Sequence, residues 1–358
     1  MRPRRFLPSK IIDTVREMKF GILYNIDYHR EVHGSSASYY AQILEQIQIL
    51  EELGFDSAWF GEHHYAGYSF GAPAVIATAA AGKTSRIRLG TGVSLVPLHN
   101  PLRLAEEYAM VDVLSNGRLE YGVGRGFLNY AYQLMGVDRA ESFDRFCEGT
   151  DLIIAAWTAD QPFSFHGKFW QIDDYQFFPP PVQKPHPAIY ASGTMTRESY
   201  IYAGRRGLHL CTAFFIPDKE AVRANIALYR QTLAENGHDP SARDVAGVFP
   251  MYCGESRAQS LRYGGECTLN YFKFFGSLER GPQPTTARGF GDKPIEFYDH
   301  LGLVLLGEPD YLIERIRWAA DYYDTNYLLF EVAQGGASHK ETVDSLRRFA
   351  RDVMPAFK

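Results

Sequence analysis

Three short stretches hold residue types that could do chemistry. Glu62-His63-His64 sets a carboxylate beside two imidazoles. Gly122-Val123-Gly124-Arg125-Gly126 presents one guanidinium between glycines. Ala191-Ser192-Gly193-Thr194-Met195-Thr196 is a run of small and hydroxylated residues ahead of a helical pattern. A guanidinium can grip a phosphate bidentately, and a helix N-terminus can add donors to it. Arg125 can approach such an anion closely because neither neighbour has a side chain. Ser192 and Thr196 would add hydroxyls, and Gly193 a backbone N–H. Taken singly, Arg125 could be a surface ion-pair partner and Ser192–Thr196 an ordinary helix cap. Together, at the ends of successive strands, they read as an anion site. Histidine titrates near neutral pH, so a loop histidine beside this site can handle protons, and the alternative is surface decoration. HEXXH spacing is absent and adjacent histidines chelate poorly, so no metal is expected. Gly122, Gly124 and Gly126 miss the dinucleotide fingerprint, because the third glycine comes one position early.

Such residues need a frame that gathers strand ends, and the pattern supplies one. Strands are expected at Lys19–Tyr24, Ser57–Phe60, Ile87–Val93, Leu119–Val123, Ala188–Ala191, Leu208–Cys211, Val245–Tyr252 and Tyr327–Glu331. Helical periodicity between them covers Tyr39–Leu53, Ala72–Lys83, Leu102–Leu114, Ser142–Thr158 with Ser142 as cap, and Lys219–Glu235. A further helix starts near Thr196, and Ser338–Val353 closes the chain. Eight strands with intervening helices predict a TIM (β/α)8 barrel, whose catalytic face lies at the C-terminal strand ends. Aromatics alternating with turn residues over Phe163–Phe178 predict an inserted hairpin. Residues 257–300 are too long for an ordinary connection and rich in turn residues at Gly281-Pro282-Gln283-Pro284 and Gly289-Phe290-Gly291, so this stretch reads as either a lid or a disordered segment.

Length and composition fit one such domain, residues 18–358, of a 358-residue chain with 46% hydrophobic residues. A net charge of −5 gives no reason to expect nucleic-acid or membrane binding. Cys147, Cys211, Cys253 and Cys267 lack CxxC spacing and read as reduced, as in a cytoplasmic protein. No apolar run approaches the ~20 residues of a membrane helix. Residues 1–17, with Arg2, Arg4, Arg5 and Lys10, read as an N-terminal extension without the hydrophobic region of a secretory signal.

The segment Ile87–Asn129, with Met18-Lys19-Phe20-Gly21, Gly54-Phe55-Asp56, Trp59-Phe60-Gly61-Glu62-His63-His64, Gly307-Glu308-Pro309 and Asp352-Val353-Met354-Pro355, resembles the luciferase-like flavin monooxygenases, in particular the bacterial luciferase α chain. The resemblance covers nearly everything from Met18 on. It implies a two-component enzyme: a separate reductase supplies reduced FMN, oxygen adds to it as a flavin hydroperoxide, and a small organic substrate such as an aldehyde or ketone is oxidised. It puts the FMN phosphate at Arg125, Ser192, Gly193 and Thr196, and a non-prolyl cis peptide at Gly92-Val93 against the flavin ring. It also lines the pocket with Phe214 and gives His63, not His64, the proton-handling role. Asn100 is a weaker candidate for the same mouth. A lid over the site and a homodimer through helices such as the alanine-rich Ala72–Gly82 also follow from it. Two departures stand out: Ser192 replaces an acidic residue, and Gly124 replaces a reactive cysteine, which argues against light emission. A deazaflavin-dependent hydride transferase, whose coenzyme carries a longer acidic tail, would suit Ser192. A non-catalytic flavin-binding protein is the remaining alternative.

Overall fold

The computed structural model describes residues 17–64, 69–277 and 290–358. The extension through residue 16 and the expected lid stretch at residues 281–289 lie outside them. Eight parallel strands form the core: β1 (Lys19–Tyr24), β2 (Ser57–Phe60), β3 (Arg88–Thr91), β4 (Leu119–Gly124), β5 (Ala188–Ser192), β6 (His209–Ala213), β7 (Val245–Cys253) and β8 (Tyr327–Glu331). Each pairs with the next, and β8 returns to β1, so the sheet closes into a TIM barrel. Side chains on both faces of these strands are covered, which is why β1, β2 and β8 read as apolar runs and not as alternating patterns.

The longer helices are α1 (Ser36–Leu53), α2 (Pro73–Ala81), α3 (Pro101–Leu114), α4 (Ser142–Thr158), α5 (Arg197–Arg205), α6 (Lys219–Glu235), α7 (Gly265–Ser277), α8 (Pro309–Tyr323) and α9 (His339–Asp352). Local chemistry sets several of their starts. Ser35 caps α1 by accepting from the Ser38 N–H, and proline opens α2, α3 and α8 where a missing N–H costs nothing. The inserted hairpin forms as expected, from Phe163–His166 against Gln171–Tyr175.

Three expectations need correction. Ser142 is no cap: a 3-10 turn at Arg139–Glu141, capped by Asp138, leads straight into α4, and Ser142 is buried within it. β3 stops at Thr91, the chain passes a cis Gly92–Val93 peptide, and Ser94–Leu95 then pairs alongside Val123–Gly124. The first half of the expected lid is helix. A π-helical stretch, Ser260–Gly264, runs into α7, and Gly264 is needed because a Cβ there would sit 2.4 Å from Tyr252. Beyond it, the strand Leu305–Gly307 beside the end of β7, and then α8, went unread in the sequence.

Trp59 plugs the barrel interior. Its indole occupies the space that side chains at Gly90 and Gly122 would need, packs edge-on against Tyr190 and Tyr327, and donates to the Tyr327 hydroxyl at 3.1 Å. Below it, Lys19, Arg88, Glu120, His209 and Asp244 line the N-terminal end; above it lies a cavity. Among the described residues no helix is long and apolar enough to cross a membrane, and all four cysteines are free thiols.

Candidate active site

A cavity of about 440 Å³ opens at the C-terminal strand ends. His63, Gly92, Val93, Arg125, Ser192 and Thr196 all line it, brought from the ends of β2, β3, β4 and β5. Arg125 follows β4 directly, and its guanidinium donates to Thr196 Oγ1 at 2.9 Å and lies 5.4 Å from the Phe143 ring centre. Burial lowers its pKa from the usual arginine value, but a guanidinium stays charged. Among the described residues no carboxylate pairs with it, so the surface-ion-pair reading of Arg125 fails. Thr196 stands at the N-cap of α5, yet its side chain makes no capping bond. The helix-cap reading fails too, and the head of α5 faces the cavity uncapped by that hydroxyl. Tyr200, fully buried, fixes this loop by donating to the Gly193 and Thr194 carbonyls at 3.0 and 2.9 Å.

Three expected residues do not take part. The Gly193 N–H donates to the Cys211 carbonyl at 3.1 Å, as part of the β5–β6 ladder, and so has nothing left for an anion; glycine stands there because a Cβ would meet the Tyr200 ring at 2.9 Å. Phe214 points the other way: it stacks on Tyr323 of α8 at 3.9 Å and fills the space above Gly247, between barrel and helices. Its neighbours Ala213 and Phe215 face the cavity instead, as alternation requires. Asn100 is exposed and caps α3, accepting from the Leu102 and Arg103 N–H groups.

Glu62 is the residue whose importance the motif did not disclose. Its Oε2 accepts from the Leu95 N–H at 3.0 Å, and its Oε1 accepts from His64 Nε2 at 3.0 Å and His99 Nε2 at 2.5 Å. Burial alone would raise its pKa, but the two imidazoles and the backbone N–H hold it down to about 2. The donor atoms of Glu62, His64 and His99 lie within 4.8 Å of one another, spacing a metal could use, but here they bond to each other. His64 is thus an internal ligand of Glu62 and not surface decoration. His63 faces Phe127 edge-on at 5.8 Å, and burial pushes its pKa down to about 4, so it is a neutral imidazole at physiological pH.

Arg139, Asn25 and Glu331 also line the cavity. The rule that picked out Arg125, a charged residue at the end of an apolar strand, would equally have found Glu331 at the end of β8. Arg139 carried no such signal; the 3-10 turn before α4 brings it in. The donor set at Arg125, Thr196 and Ser192 fits a phosphate, and the apolar walls of Leu23, Val93, Phe127, Val248 and Phe275 fit a planar ring. An FMN-sized group therefore fits the residues present.

Comparison with known proteins agrees with this geometry. The sequence profile described as luciferase-like monooxygenase matches residues 18–321. The oxygenase component of a flavin-dependent trigonelline monooxygenase from Acinetobacter baylyi is 27% identical over 331 residues, 89% of this chain and 90% of that protein. Among solved structures, the monooxygenase RslO1 from Streptomyces bottropensis superposes with a TM-score of 0.85 at 25% identity, over 95% of this chain and all of that one. An F420-dependent secondary alcohol dehydrogenase shares the fold alone, with a TM-score of 0.72 at 18% identity over 96% of this chain and 99% of that one.

 The chain belongs to the luciferase-like monooxygenase family, and it is an oxidoreductase.

Proposed function

We propose that the protein is the oxygenase component of a two-component system, taking reduced FMN from a separate reductase and oxidising a small organic substrate. The observation that carries this is the half-buried Arg125 guanidinium, free of any carboxylate among the described residues, beside the uncapped head of α5. Arg125, Thr196 and Ser192 would hold the phosphate, and Gly92 and Val93 would lie against the ring. Bound reduced flavin supplies the electrons that activate dioxygen, so that one oxygen atom enters the substrate and the other leaves as water. The apolar walls keep bulk water from that chemistry. His63 works as a neutral imidazole, able to donate at one ring nitrogen and accept at the other, because burial opposes its charged form.

A deazaflavin coenzyme of the F420 kind is the second reading, favoured by Ser192 and by Arg139, a further cation at the cavity suited to a longer acidic tail. Anaerobic titration with reduced FMN and with reduced F420, followed by labelled dioxygen, separates the two. Incorporation of label into an organic product with FMN supports the oxygenase. Binding of F420 alone, with hydride transfer and no label, sinks it. We also propose a homodimer through α2 and α3, where Val75, Met110 and Leu114 are exposed; a monomer by light scattering at working concentration would remove that.

A further inference from the structure

One part of the cavity holds polar groups that neither the phosphate site nor His63 uses. Glu331 ends β8 on the cavity wall and is 2% exposed. Asn25, the residue after β1, lines the same wall and donates from Nδ2 to Glu331 Oε1 at 2.8 Å. Its carboxamide fits only because residue 61 is glycine: a Cβ there would lie 1.8 Å from Asn25 Oδ1. Among the described residues, Glu331 Oε2 and Asn25 Oδ1 are both buried and make no hydrogen bond of ordinary geometry, and the same holds for both polar atoms of the neighbouring Gln334. Buried polar atoms are nearly always satisfied, so a cluster of such atoms on a cavity wall points to a ligand group that completes it.

The chemistry of that group follows from the protons. Oε1 of Glu331 already accepts from Asn25, so a proton on this carboxyl belongs on Oε2. The polar groups facing Glu331 are Asn25, Gln334 and the Tyr271 hydroxyl from α7, none of them charged, and burial pushes its pKa up to about 7. Near neutral pH, Oε2 therefore donates in part of the molecules, while Asn25 Oδ1 accepts in all of them. A group seated between them must both donate and accept, and a hydroxyl does both on one atom.

We infer that Glu331 and Asn25 form the subsite for the polar end of the organic substrate, and that this end is a hydroxyl, as in an alcohol or phenol. This rests on the proposed oxygenase function and names the substrate class of the same cavity. The chief competitor for the subsite is the hydrogen-bonding edge of the flavin itself.

The test compares octanol with octane as ligands of the oxidised-FMN complex, in the native protein and in Glu331→Leu, Glu331→Gln and Asn25→Ala. The ratio of octanol to octane affinity should fall about tenfold in Glu331→Leu and several-fold in Asn25→Ala, the scale of one lost buried hydrogen bond. Glu331→Gln, whose amide still donates and accepts, should keep the native ratio, and FMN affinity should be the same in all four proteins. An unchanged ratio in both Glu331→Leu and Asn25→Ala overturns the inference. So does a loss of FMN affinity in Glu331→Leu with the ratio intact, which would assign the cluster to the flavin. Label incorporation from dioxygen is scored separately, so failure of the oxygenase reading would leave this binding ratio standing.

Discussion

The two ends of the barrel hold the same kinds of residue and use them in opposite ways. At the N-terminal end the charges close on each other. Asp244 accepts from Lys19 at 2.8 Å, Tyr190 at 2.7 Å and Asn326 at 2.7 Å, while Glu120 accepts from Arg88 at 2.8 Å and Tyr327 at 2.9 Å. Despite burial, Lys19 and His209 hold the Asp244 pKa below the usual carboxylate range. At the C-terminal end, among the described residues, the Arg125 guanidinium hydrogen-bonds only the Thr196 hydroxyl, and Glu331 and Asn25 each keep a buried atom without a hydrogen-bond partner. A polar group satisfied inside the protein supports the fold, whereas one left open supports binding.

Substitutions at the two ends should therefore separate stability from affinity. Asp244→Ala strands Lys19, Tyr190 and Asn326 together, and should cost about 3 kcal/mol of stability in urea unfolding with FMN affinity unchanged. Equal losses of stability and affinity would erase the contrast. Arg125→Ala should do the reverse: FMN affinity falls about 30-fold, the ~2 kcal/mol of a charge-assisted contact, and the melting temperature stays put.

Two partly buried histidines, one at each end, sharpen the comparison. Burial lowers the pKa of both His63 and His209 to about 4, against an ordinary value of 6.5. Between those values the unfolded chain binds protons that the folded chain refuses. Stability is thus full above about pH 6.5 and declines as pH falls toward 4, by an amount on the order of 1–2 kcal/mol per histidine. Replacing either with glutamine should flatten that slope in pH-dependent unfolding, but only His63→Gln should also slow turnover. The smallest effect is expected from Gly124→Ala. A Cβ there would lie 2.4 Å from Val93 Cγ2, so Val93 must shift, and FMN affinity should drop about fivefold, ~1 kcal/mol.

Much of this was legible in the sequence. The eight barrel strands follow from apolar runs buried on both faces, and Arg125 from its position between glycines at a strand end. The misses have physical causes. Phe214 is one position out of phase, and strand alternation sends it to the helix side, where it stacks on Tyr323. Gly193 offers an N–H that the β-ladder had already taken, which no local pattern reveals. The Leu305–Gly307 strand has only three residues, too few to show a period, and Gly264 and Gly265 look like loop although they sit in a π-to-α transition, packed on Tyr252 and Ile295 respectively. Glu62 was visible, but its two imidazole partners come together only through the fold, one of them from a loop 37 positions away.

Trp59, wedged among Gly90, Gly122 and the two tyrosines, has a kinetic consequence. Among the described residues it separates the cavity from the N-terminal end of the barrel, so the cavity opens at the C-terminal face. Under the proposed function, flavin, substrate and product would all pass through that one mouth, so a bound product would bar the next flavin from entering.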